Sequence, residues 1–124
     1  MARHILLVAI GGATGCVLRF LTSVLTAKYF AASFPLATFI ANVLGCFLIG
    51  VFSGLFMHNN NMNIQLRLLL ITGFCGGYTT FSTFSAENFS LINNNNTGLA
   101  LMNIFASVIA GLIAVWLGIT IAKN

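Results

Sequence analysis

From Pro35 to Met57 the chain carries no charged residue, and that stretch decides which solvent it folds in. A bilayer hydrocarbon core about 30 Å thick is crossed by about 20 apolar residues in a helix. The scarcity of charge is general. Charged residues make up 5% of the 124 and hydrophobic residues 59%, whereas a soluble domain carries roughly 25% charged residues. Water is therefore not the main solvent of this surface, and the chain reads as a polytopic integral membrane protein.

Polar punctuation divides it into four expected spans, at about 4–26, 35–57, 65–92 and 97–122, in one transmembrane domain over 1–124. The Phe34-Pro35 turn precedes the second span, and proline at a first helical turn costs little. Asparagine-rich loops, His58 to Asn63 and Asn93 to Asn96, separate the rest. The first apolar run follows Arg3 like a signal peptide. It is too long for one and continues through Gly11, Gly12 and Gly15 without a polar cleavage region, so it reads as a span. Twelve glycines are spread over the chain, including a GxxxG pair at Gly11 and Gly15 and a second set at Gly45, Gly50 and Gly54. Lipid is as apolar as leucine, so small residues let helix backbones approach, and oligomerisation is expected.

The net charge of +4 comes from Arg3, Arg19, Lys28, Arg67 and Lys123 against one acid, Glu87. The basic residues are scattered singly near span ends, which suits membrane anchoring and topology rather than nucleic acid. Four spans put Arg3, Arg67 and Lys123 on one side and Lys28 on the other, with Arg19 if it snorkels that way. So weak a bias permits insertion in both orientations. Cys16, Cys46 and Cys75 lack metal-ligand spacing and read as small buried hydrophobes. Asn88-Phe89-Ser90 and Asn95-Asn96-Thr97 match a short glycosylation pattern of little weight.

The third span holds the unusual segment, Gly73-Phe74-Cys75-Gly76-Gly77-Tyr78-Thr79-Thr80-Phe81-Ser82-Thr83-Phe84-Ser85. Each glycine costs a helix about 1 kcal/mol against alanine, and the hydroxyls after it compete for backbone hydrogen bonds. A helix break near Gly76-Gly77 is expected. Its freed carbonyls must line a cavity, meet protein or hold a cation; a kinked packing helix is the plainer alternative. Phe81 and Phe84 share a face, and Thr79, Thr83 and Glu87 form a polar stripe extended by Ser90. An acid inside a span marks a functional site by default. Thr38 and Asn42 are one turn apart in the second span, as are Asn103 and Ser107 in the fourth. The first pair fits either interhelical hydrogen bonding or a pore, and the second fits helix packing. Arg19, deep in the first span, must pair, snorkel or face an aqueous vestibule.

At these residues the chain resembles the CrcB/Fluc family of fluoride channels. The match is strongest over Gly73 to Glu87. It is supported by Asn42-Val43-Leu44-Gly45-Cys46-Phe47 with Gly50, and by Gly11-Gly12-Ala13-Thr14-Gly15 with Arg19-Phe20. The family often has glycine before the second-span threonine, where this chain has Ala37, and alanine where it has Cys16. The resemblance implies an all-α membrane fold of four helices per subunit with a break in the third. It implies a dual-topology antiparallel homodimer in the bacterial inner membrane that exports fluoride passively. It implies pore roles for Asn42, Phe81, Phe84, Thr38, Ser82, Thr83, Glu87 and Ser107, and a vestibule role for Arg19. It also implies a structural Na⁺ at the dimer centre, held by the backbone carbonyls of Gly76 and Thr79.

Two other readings compete. A small multidrug-type exchanger, proton-coupled and also four-spanned, needs an acid that usually lies in its first span; here that span has Arg19 and no acid. A non-transporting scaffold would suit the glycines but gives the polar track no use. An enzyme is not expected, for no nucleophile–base pair, metal cluster or phosphate loop is visible.

Overall fold

The computed structural model describes residues 1–59 and 63–124. Three helices there are long and apolar enough to cross a membrane: α1 (Ala2–Tyr29), α2 (Leu36–His58) and α6 (Thr97–Lys123). At 1.5 Å per residue even α2 extends about 35 Å, enough for the hydrocarbon layer. Their large apolar side chains point outward. Phe20, Leu112 and Trp116 are more than 60% exposed, while Gly11, Gly15, Gly50, Gly54 and Gly118 are buried. Small residues inside and large apolar ones outside is the arrangement that lipid favours.

Two helix pairings organise the chain. α2 runs along α6, and α1 runs along the region of residues 68–78. In both, a missing β-carbon sets the approach. A β-carbon on Gly118 would lie 2.7 Å from the Val51 amide nitrogen, and one on Gly15 would lie 2.8 Å from that of Tyr78. The Gly11/Gly15 pair is thus the face on which α1 packs.

The third apolar region is not one uniform helix. Asn63 caps α3 (Ile64–Arg67) by accepting the Gln65 N–H at 3.1 Å. A π-helical segment, Leu68–Cys75, follows and leads into the short α4 (Gly76–Tyr78). Thr79 and Thr80 are extended, and α5 (Phe81–Asn93) begins after them. The interruption therefore falls two residues beyond Gly76-Gly77. Those glycines stay helical because Gly77 packs against the Gly12 backbone, and the departure comes where Thr80 finds other partners.

The Asn93–Asn96 turn has a backbone reason. The Asn96 N–H donates to the Leu91 carbonyl at 2.8 Å, and Asn95 takes φ 62°, a left-handed conformation that asparagine tolerates. Of the His58–Asn63 loop expected from the sequence, His58 instead ends α2, Asn63 caps α3, and residues 60–62 lie outside the described ones. Pro35 sits just before α2 as its cap residue rather than inside its first turn.

Candidate functional site

Asn42 organises the site. It lies on α2 opposite the extended pair, and its amide grips Thr80 at both backbone groups. Oδ1 accepts the Thr80 N–H at 2.8 Å, and Nδ2 donates to the Thr80 carbonyl at 3.1 Å. In a continuous helix that N–H would go to the carbonyl of Gly76. Asn42 thus substitutes for helical hydrogen bonding at the point where the helix stops. Gly45, one turn on, makes room: a β-carbon there would collide with the Thr79 methyl. The Thr80 hydroxyl accepts the Thr83 N–H at 3.2 Å and so caps α5. Ser82 Oγ lies 3.3 Å from the same hydroxyl.

Two concavities meet at Thr80. A cleft of about 910 Å³ is lined by Arg19, Thr38, Thr80, Thr83 and Glu87, with Phe20 and Cys16. Arg19 Nη1 donates to the Thr79 carbonyl at 3.3 Å, so the guanidinium is tied to the break rather than directed away from it. The buried Thr38 hydroxyl donates to Glu87 Oε1, which binds α2 to α5. A smaller groove of about 270 Å³ brings together Asn42, Gly45, Thr79, Thr80 and Phe81. Phe81 is 78% exposed there, and its ring centroid lies 5.8 Å from that of Phe84 at 40°.

The residues singled out in the sequence do not all converge. Asn42, Thr79 and Phe81 share the groove; Arg19, Thr38, Thr83 and Glu87 share the cleft. Ser107 belongs to neither lining, its hydroxyl donating to Asn103 Oδ1 at 3.1 Å. Thr79 leaves the expected polar stripe. Being extended, it turns its hydroxyl back onto the Cys75 carbonyl at 2.9 Å, and Thr80 lines the cleft instead. Of the cysteines, Cys75 is buried and Cys46 half-buried, but Cys16 is exposed in the chain and meets Arg19 Nη2 at 3.9 Å. Asn88 is buried, so its glycosylation pattern is closed off in the fold.

Three residues were given no part in the site from the sequence. Thr80 is the hinge of the site, yet its role depends on Asn42, 38 positions away. Tyr78 is buried with its hydroxyl 2.9 Å from that of Thr22, pinning α1 to α4. Asn88 accepts from Asn103 Nδ2 at 2.9 Å, a pairing that no local pattern signals.

The backbone here presents carbonyl oxygens. The Thr80 N–H is spent on Asn42, which leaves the Gly76 carbonyl without its helical donor, and Gly76 is exposed. The Thr79 carbonyl accepts from Arg19 Nη1 on one lone pair and carries a second. Both are hard oxygen donors of the kind that bind small cations. Among the described residues no three His, Cys, Asp or Glu side chains gather as a metal site.

Known proteins match over nearly the whole chain. The model of a family described as CrcB-like protein, Camphor Resistance (CrcB), matches residues 6–119. A fluoride-specific ion channel FluC of Flavobacterium psychrophilum is 48% identical over 122 residues, 98% of each chain. One of Azobacteroides pseudotrichonymphae is 47% identical over 118 residues, 95% of this chain and 94% of the relative. One of Pyrococcus furiosus is 46% identical over 122 residues, 98% of each chain.

Proposed function

This chain belongs to the CrcB family, and we propose that it is a fluoride-selective channel that lets the ion leave the cell down its gradient. It is a multi-pass membrane protein and not an enzyme. The observation that carries the site reading is the meeting of Asn42, Thr79 and Phe81 in one groove beside an interrupted helix.

Fluoride is small and holds its water tightly, so a pore must replace that water with donors. Asn42 spends one N–H on Thr80 and keeps a second to offer. Phe81 and Phe84 have rings whose edges carry partial positive charge; tilted against each other, they can present edges to a passing anion. Ser82, Thr83 and Ser107 add hydroxyls along the path. Arg19 gives the cleft a positive wall that draws anions inward. Glu87, accepting from Thr38, holds the far wall together, and the Thr38 hydroxyl can turn from it to a passing anion.

In this reading residues 64–93 form the third of four spans, broken at its middle, and two chains of opposite orientation make the working dimer. The weak basic bias and the glycine faces support that arrangement. Gly76 and Thr79 of each subunit would hold a structural Na⁺ through their carbonyls, and that ion would supply fixed positive charge beside the anion path.

The reading is tested by reconstituting Asn42→Ser and Phe81→Ile in liposomes and following fluoride efflux with an ion-selective electrode. Loss of efflux from folded protein supports it. Unchanged efflux in both variants would remove these residues from the pore.

A further inference from the structure

Hydroxyls in these helices mostly bond to their own backbone. Thr14, Thr22, Thr26 and Thr120 each donate to the carbonyl four residues back, at 2.7 to 2.9 Å. Ser107 does not. It donates to the side chain of the residue four back, Asn103 Oδ1, at 3.1 Å. A backbone carbonyl is fixed, whereas a side-chain amide can turn, so the Ser107 proton is held by a movable acceptor.

That acceptor is itself held. Asn103 is 2% exposed and donates through Nδ2 to Asn88 Oδ1 at 2.9 Å. Asn88 is 5% exposed, and its Nδ2 is buried without a partner among the described residues. The three side chains form a one-way relay, Ser107 to Asn103 to Asn88, that ends on an unsatisfied donor. Such a donor costs about 1–3 kcal/mol. An amide presents oxygen and nitrogen at nearly equivalent positions. Turning both amides by half a turn reverses every bond. Asn88 Nδ2 then donates to Asn103 Oδ1, and Asn103 Nδ2 donates to Ser107 Oγ. The Ser107 proton becomes free to donate elsewhere. The buried orphan becomes a carbonyl oxygen, which tolerates lack of a partner better than an N–H does.

We infer that Asn103, backed by Asn88, is a positioning residue for Ser107: the pair holds the hydroxyl proton inward and, by turning, releases it to an arriving anion. This rests on Ser107 lying on the fluoride path. Asn88 and Asn103 touch no fluoride in this scheme and act only through the serine.

A double-mutant cycle on liposome flux tests it. Ser107→Ala and Asn103→Leu are each expected to slow fluoride efflux about fivefold, the worth of roughly one hydrogen bond. The double variant is expected to be no slower than either single one. A packing role for Asn103 would instead make the losses multiply, and that result overturns the inference, as does wild-type flux in folded Asn103→Leu. Should Asn103→Leu fail to assemble, Asn88→Ala breaks the relay from its far end and enters the same cycle, with the same outcomes. Wild-type flux in Ser107→Ala also overturns it, and places the failure in the position of Ser107 rather than in the channel reading, which fails only if the unaltered protein passes no fluoride.

Discussion

At the scale of single residues, Asn42 does two jobs with one amide. It completes the backbone of Thr80 and keeps a donor for the groove. Asn42→Ser shortens the side chain and removes both bonds. A net loss of about 1 kcal/mol per bond is expected, together with a drop in fluoride efflux of about tenfold or more, since 1.4 kcal/mol is a factor of ten. Phe81 separates the jobs. It is 78% exposed in the single chain, so few contacts within that chain hold it. Phe81→Ile is expected to change stability by no more than about 0.5 kcal/mol while cutting flux. A variant that lost dimer and flux together would make Phe81 a packing residue. Thr80→Val removes the cap of α5 and is expected to cost about 1 kcal/mol, read as earlier thermal loss of the dimer peak in detergent.

At the scale of elements, the three long apolar helices follow from their apolar runs, because a helix in lipid is decided by its own composition. The Gly11/Gly15 face was equally legible, for the spacing alone puts both on one side of α1. The extended Thr79-Thr80 pair was not itself legible. The glycines signal weakness, but where the helix stops is set by Asn42, and its partner in another helix cannot be read from local spacing. The π-helical segment Leu68–Cys75 and the Asn88–Asn103 pair are hidden for the same reason. Close packing gives a sharp contrast. Gly77→Ala would place a β-carbon against the Gly12 backbone and is expected to destabilise by about 1–3 kcal/mol. Gly98→Ala meets nothing within 4 Å and is expected to stay within about 0.5 kcal/mol of the parent. Equal thermal stability of the two variants in detergent would mean that the α1 contact is not as close as the backbone shows.

At the scale of the molecule, one chain leaves its work unfinished. Its groove is open at Phe81, and Gly76 is exposed. A second copy in the opposite orientation would close the groove and bring two sets of carbonyls together. A dimer in detergent is therefore expected, and a C-terminal reporter should be found on both sides of the membrane. The decisive property, however, is which ion passes. Liposomes loaded with fluoride or with chloride and carrying the purified protein decide it. Fast fluoride efflux with little chloride leak is the outcome expected of this chain. Folded dimers that pass no fluoride, or pass chloride equally well, would contradict it.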